Sequence, residues 1–178
     1  MNNTYKICVI GDGSVGKTEW AKKLANEELV EDYVPTWGVE LYPVTVKTNY
    51  GPRTLNIWDT AGDKEHEGLG EGNYMQAFGA IAMYDLTRPE TLEHVKDWVA
   101  SFAKVRPGAP IFVVGTHADR PQEVRIEDLC HTLNSMVDEH DMEFDEMRIS
   151  IVNGTNWRDP ALEILRLIER EPTLQWAD

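Results

Sequence analysis

Gly11-Asp12-Gly13-Ser14-Val15-Gly16-Lys17-Thr18 is the stretch on which the reading of this 178-residue chain turns. It follows an apolar run, Tyr5 to Ile10, and precedes a helix-like run carrying Trp20, Ala21, Leu24 and Ala25. Strand, glycine-rich loop and helix with G-x-x-x-x-G-K-[ST] spacing is the pattern of a phosphate-binding P-loop. Its glycines let backbone N–H groups curl around an anion, and the helix N-terminus adds its positive dipole end. Lys17 is placed to reach β- and γ-phosphates, and the Thr18 hydroxyl to ligate Mg2+. A chance glycine-rich turn would not bring all four fixed positions with the right flanks. The chain binds a nucleotide phosphate or descends from one that did.

Composition narrows the classes. No long linker-like stretch interrupts the sequence, so one domain over 1–178 is expected, large enough for a proper core. Lys plus Arg number 17 against 31 Asp plus Glu, a formal net charge of −14. That balance opposes general binding to nucleic acid or an anionic membrane, and makes a local basic pocket around Lys17 necessary. Neither a signal peptide nor a bilayer-spanning run is read, and the last residues carry no cysteine to prenylate. Of the two cysteines, Cys8 lies in the strand before the P-loop and reads as a buried thiol. A soluble, intracellular, unanchored monomer is expected.

Pattern supplies the elements that follow. Leu29 to Gly38 reads as a loop, and Glu40 to Thr48 as a strand whose Pro43 points to a sheet edge. Asn49-Tyr50-Gly51-Pro52 turns the chain into a second strand, Arg53 to Trp58, completing a hairpin. Asp63 to Gly72 is polar and glycine-rich, and is expected to be a mobile loop. Ala80–Tyr84 and Pro110–Gly115 are apolar enough for strands covered on both faces. Leu92, Val95, Val99 and Phe102 mark one helix, and Leu129, Leu133, Met136 and Val137 another. The acidic run Asp138 to Glu146 reads as a solvated loop, and Met147 to Val152 as the last strand. Asp159-Pro160 fits an N-cap and first helical position before a helix buried through Leu162, Leu165 and Ile168. Strands alternating with helices imply a parallel α/β sheet with right-handed crossovers.

Two further stretches separate kinases, ATPases and GTPases. Tyr33-Val34-Pro35-Thr36-Trp37-Gly38-Val39-Glu40 resembles switch I of a small GTPase, and Trp58-Asp59-Thr60-Ala61-Gly62 resembles the start of switch II. Within the Ras superfamily the chain is most similar to the Ran branch, from Tyr33 through Asn49-Tyr50-Gly51-Pro52 to Gly62. The similarity returns from Asp159 to Leu174. This resemblance implies a three-layer P-loop NTPase G domain, with a six-stranded, mostly parallel sheet bearing one antiparallel edge strand and about five helices. It implies GTP and GDP as ligands, with contacts from Asp12, Gly13, Ser14, Val15, Gly16, Lys17, Thr18, Tyr33, Thr36 and Gly62. At the base it implies contacts from Thr116, His117, Asp119, Ser150, Ile151 and Val152. Thr18, Thr36 and, through water, Asp59 would hold Mg2+. Lys17, Thr36, Gly62 and residue 63 would form the catalytic set. Karyopherin-type transport receptors, an exchange factor and an activating protein would dock on the switches, in nucleus and cytoplasm.

The departures from that family matter as much. Asp63 replaces the glutamine that orients the attacking water; its carboxylate faces a developing anion, or acts as a base if its pKa is raised. Thr116-His117-Ala118-Asp119 stands for Asn-Lys-x-Asp: Asp119 keeps the guanine-reading carboxylate, while His117 replaces a lysine stem and either stacks on guanine or is a tolerated loop residue. Ser150-Ile151-Val152 replaces Ser-Ala-Lys, so a second lysine stem is lost, although the Ile151 N–H remains available for guanine O6. Trp37 is either an effector anchor or packing within switch I; Trp20, Trp58 and Trp98 fit core or helix-face positions. Two readings result: a slow GTP/GDP switch, or a Ran-shaped module engaging transport receptors without turnover. An ATP-using kinase is opposed by Asp-Thr-Ala-Gly and by Asp119.

Overall fold

A computed structural model describes residues 3–26, 36, 38–62 and 67–177, with the side chains of 67–70 left out. Asp63, Tyr33 and Trp37 lie outside the described residues. Element order is β1 (Thr4–Ile10), α1 (Lys17–Leu24), β2 (Val39–Thr48), β3 (Gly51–Thr60), α2 (Glu67–Tyr74), β4 (Gly79–Asp85), α3 (Pro89–Val105), β5 (Ile111–Thr116), α4 (Ile126–His140), β6 (Glu146–Arg148) and α5 (Asp159–Glu169). The sheet order is β2-β3-β1-β4-β5-β6. β2 pairs antiparallel with β3, and every other neighbouring pair is parallel. The expected α/β architecture, including its single antiparallel edge strand, is the one observed. Pro43 sits on that edge strand, where its missing N–H costs no ladder bond.

Strand alternation divides the core into two layers, as a two-residue side-chain period requires. Ile7 and Val9 of β1 face one side with Ile57, Ile81, Met83 and Val114, where Trp20 and Leu24 of α1 and Ile164 and Leu165 of α5 cover them. Cys8 and Ile10 face the other side with Ala80, Ala82, Tyr84 and Val113, beneath Leu92, Val95, Val99 and Phe102 of α3 and Leu129 and Met136 of α4. Cys8 is buried, as its strand position implied. Among the described residues no helix is long and apolar enough to cross a membrane.

Four local expectations change. Part of Asp63–Gly72 is helical, because α2 begins at Glu67 despite its glycines. Buried Tyr74 anchors it, with its ring 5.4 Å from that of Phe102. The Asp138–Glu146 loop is shortened at both ends, by α4 and by β6. Glu146 is not solvated but accepts the Tyr84 hydroxyl at 2.7 Å. β6 itself stops at Arg148, since Ser150 turns the chain: the Asn153 and Gly154 amides return to its hydroxyl and carbonyl. Finally, Arg158 takes the N-cap position, so Asp159 and Pro160 open the helix.

One buried ion pair ties the hairpin to α5. Arg53 donates from Nε and Nη2 to Glu169 at 2.6 and 3.1 Å. The Arg53 hydrogen bond, ahead of Tyr5, holds the Glu169 carboxyl below the usual range. A depressed carboxylate stabilises the fold above its unfolded value, and that contribution disappears as pH falls through the folded value. Arg53→Met is expected to lower the unfolding free energy by about 2 kcal/mol at neutral pH in urea melts, because Glu169 loses its main, charged partner and keeps only Tyr5. The gap to wild type should shrink as pH falls below the ordinary glutamate range. A gap independent of pH contradicts this assignment.

Candidate functional site

All five mutually parallel strands end at one edge of the sheet, and each end supplies a loop to one cleft. Such an edge, where the strand order reverses around β1, is where open α/β sheets hold ligands. The P-loop follows β1, Asp59 to Gly62 close β3, Asp85 to Arg88 follow β4, Thr116 to Asp119 end β5, and Ser150 to Val152 follow β6.

The P-loop has the curled backbone its sequence predicts. Gly11 and Gly16 have φ of 141° and 99°, and Ser14 is left-handed at 60°. A Cβ on Gly11 would lie 2.3 Å from the Met83 carbonyl oxygen, so only glycine fits there. The first helical bond of α1 runs from the Trp20 amide to Gly16 O at 3.0 Å. The Lys17, Thr18 and Glu19 amides come before it and have no carbonyl within the helix to donate to. Gly13, Ser14, Gly16, Lys17, Thr18, Thr36 and Gly62 line one small pocket. Gly62 reaches it by close approach: its carbonyl accepts the Gly13 amide at 3.0 Å, and a Cβ on it would lie 2.4 Å from Gly13 N. Lys17 is buried, with Nζ donating to the Gly11 and Asp12 carbonyls at 2.8 and 2.7 Å. Burial pushes its ammonium down to about 8, against the opposing pull of Asp59 and Asp12. An anion in the pocket would restore the charge, since it favours the protonated form.

Beside this pocket three oxygen-bearing side chains converge. Thr18 Oγ1 donates to Asp59 Oδ2 at 2.5 Å and lies 2.9 Å from Thr36 Oγ1, which is itself 3.3 Å from Asp59 Oδ2. Asp59 is fully buried, and burial pushes its carboxyl up, with Thr18 and Lys17 opposing. Its other oxygen, Oδ1, is buried and makes no hydrogen bond among the described residues. Two hydroxyls and a carboxylate with an orphaned buried oxygen form the donor set of a hard cation. The chemistry fits Mg2+, which takes few protein ligands and keeps the rest as water or phosphate.

The base-side loops are tied together by hydroxyls. Thr116 Oγ1 donates to the Val15 carbonyl at 2.7 Å, so β5 holds the P-loop directly. Ser150 donates to Asp119 Oδ1 at 2.6 Å, which, ahead of weaker contributions, holds that carboxyl below its usual range. His117 takes a left-handed φ of 60°, and its Nδ1 lies 3.1 Å from Asp85 Oδ2. The Ile151 carbonyl accepts Lys23 Nζ, whereas Val152 is 78% exposed.

Sequence reasoning did not place His94, Trp98, Asp85 or Arg88 at the site. Asp12 turns its side chain away from the phosphate pocket, accepting Trp98 Nε1–H at 2.8 Å on Oδ1, with Oδ2 2.5 Å from His94 Nδ1. Trp98 therefore braces the P-loop as well as the core. Asp85 and Arg88 back the Gly13 turn from β4, with Arg88 Nη2 donating to the Gly13 carbonyl at 3.0 Å. The spacing of His94 and Trp98, one helical turn apart, and the place of Asp85 at a strand's carboxyl end were the available signals.

Thr116→Val keeps the shape but leaves the Val15 carbonyl without its donor. It is expected to cost about 1–3 kcal/mol in denaturation, as for any buried polar group left unpaired. Unchanged stability would show that the hydroxyl does not hold the loop. Along the whole of this architecture, from β1 to the C-terminal end of α5, residues 6–170 match the Ras family model. Members of that family bind GTP and GDP, typically with Mg2+. The chain belongs to the Ras family of small GTPases.

Proposed function

We propose that residues 1–178 form a single G domain acting as a Ran-like, Mg2+-dependent GTP/GDP switch with slow intrinsic hydrolysis. The observation that carries this reading is the buried Asp59 oxygen left unpartnered beside Thr18 and Thr36. It joins the P-loop, switch I and switch II at one point. Mg2+ held there would neutralise charge on the β- and γ-phosphate oxygens. Lys17 and the amides of Gly13 through Thr18 would grip the phosphates, and the Gly62 and Thr36 amides would report the γ-phosphate. For the Gly13 amide to do so, Gly62 must release it. Asp119, aimed by Ser150, would accept guanine N1–H and the 2-amino group. Adenine presents a lone pair there and is rejected.

The Ran-like part of the proposal is supported by two stretches of similarity that meet in space. Asn49 Nδ2 donates to the Thr173 carbonyl at 3.0 Å, its Oδ1 accepts the Gln175 amide at 2.9 Å, and Tyr50 Oη lies 2.7 Å from Thr173 Oγ1. From that resemblance we infer karyopherin-type receptors, an exchange factor and an activating protein as partners of the switches, in nucleus and cytoplasm. The slow rate is inferred from Asp63, whose carboxylate would face the charge developing on the transferred phosphate.

Chromatography of nucleotide released on denaturation, then phosphate release from the GTP-loaded protein beside Asp63→Gln, tests this reading. Bound guanine nucleotide and slow turnover, raised at least about tenfold in the variant, are expected. Turnover unchanged or lowered in the variant removes Asp63 as the brake. Absence of guanine affinity leaves the second reading, an interaction module without a nucleotide cycle.

A further inference from the structure

Arg88 has no part in the phosphate and metal contacts described above, yet its backbone is pinned and its guanidinium reaches the P-loop. Its amide donates to the Asp85 carbonyl at 2.9 Å, and its own carbonyl accepts the Thr91 amide and hydroxyl at 3.0 and 2.7 Å. The side chain therefore leaves a fixed point, the N-cap of α3. Asp85, almost completely buried at the end of β4, holds it further along. Its Oδ2 accepts Arg88 Nε at 3.1 Å, while its Oδ1 is taken by the Thr87 amide and hydroxyl at 2.8 and 2.7 Å. From there Arg88 Nη2 donates to the Gly13 carbonyl at 3.0 Å. A planar guanidinium already held at its backbone and at Nε loses little freedom in making that last bond.

What the bond does follows from the peptide it meets. The Gly13 carbonyl shares one planar unit with the Ser14 N–H, and in a trans peptide the two point in opposite directions. By holding the carbonyl, Arg88 aims the Ser14 amide away from the guanidinium. Gly13 and Ser14 both line the small pocket that Lys17 and Thr18 also line, and the Ser14 amide makes no hydrogen bond among the described residues. Ser14 has a φ of 60°, a region that a residue other than glycine enters only when its surroundings hold it there. The Gly62 carbonyl restrains the preceding peptide, through the Gly13 amide. Arg88 restrains the one that carries the Ser14 N–H.

We propose that Arg88 is a positioning residue for phosphate binding: aimed by Asp85, it fixes the Gly13–Ser14 peptide with the Ser14 N–H turned to a bound phosphate. The proposal rests on the guanine-nucleotide reading above. An N–H of fixed orientation needs no reorganisation when the anion arrives. A peptide free to turn must first be ordered, which lowers affinity. In this role Arg88 does not touch the nucleotide; it acts through the loop.

Two readouts on the Mg2+-loaded full chain test this. One is release of N-methylanthraniloyl-GDP, chased with excess GDP; the other is the phosphorus NMR resonance of the β-phosphate of bound GDP, a group that P-loop amides cradle. Arg88→Met keeps the stem and removes the donors. Release should quicken roughly three- to tenfold, the change expected from one lost hydrogen bond, and the β-phosphate resonance should move. Arg88→Lys returns one donor and should restore most of both. Asp85→Asn keeps an acceptor for Thr87 but offers Arg88 none, and should change both readouts in the same direction. Combining it with Arg88→Met should release nucleotide no faster than Arg88→Met alone. Wild-type release and a wild-type resonance in Arg88→Met, whatever its melting temperature, overturn the proposal and leave the nucleotide reading intact. Should that variant not fold, the same wild-type pattern in Asp85→Asn does so. Failure of the wild-type chain to bind GDP overturns the nucleotide reading itself, and this proposal with it.

Discussion

One buried carboxylate, Asp59, joins the P-loop helix and Thr36 at the carboxyl edge of the sheet. Asp59 ends a strand in the middle of the fold with no solvent contact. An isolated charge in that position is costly unless paired and hydrogen-bonded. Two hydroxyls meet one oxygen, Lys17 offsets the charge, and the other oxygen is left without a hydrogen bond. A hard cation is the natural partner for that oxygen. The hydroxyls come from α1 and from Thr36, so this one carboxylate oxygen joins groups that lie apart in the sequence. A site of this kind couples ligand binding to conformation through ordinary electrostatics.

Around this point side chains tie the loops of the cleft to one another. Thr116 reaches the Val15 carbonyl with a hydroxyl, bracing the P-loop from β5, across the intervening β4. Ser150 still aims Asp119, and Lys23 from α1 reaches the Ile151 carbonyl near the position where a lysine stem was expected but absent. The His117 ring lies against Asp85, and Asp85 in turn meets the arginine that backs the P-loop. These tethers put the altered base site under the same structural control as the phosphate site.

Much of this was legible in the sequence, because the deciding features are local. The P-loop, the hairpin around Asn49-Tyr50-Gly51-Pro52 and the apolar runs of β4 and β5 each carry their own pattern. What escaped depends on tertiary placement. α2 is a helix despite three glycines because Tyr74 packs on Phe102. Glu146 looked like part of a solvated acidic run, but half-burial against Tyr84 gives it a partner. Asp85, His94 and Trp98 looked like ordinary strand-end and helix-face residues, since nothing in their own segments reveals that the P-loop lies against them.

Guanine-nucleotide release in Mg2+ and after chelation, compared between wild type and Asp59→Asn, tests the central claim most directly. The account predicts that chelation speeds release from wild type by about tenfold or more, and that Asp59→Asn releases quickly with little response to Mg2+. Wild-type release that ignores Mg2+, or an Asp59→Asn variant that keeps the full Mg2+ effect, would contradict the assignment of Asp59 as the residue around which the site is built.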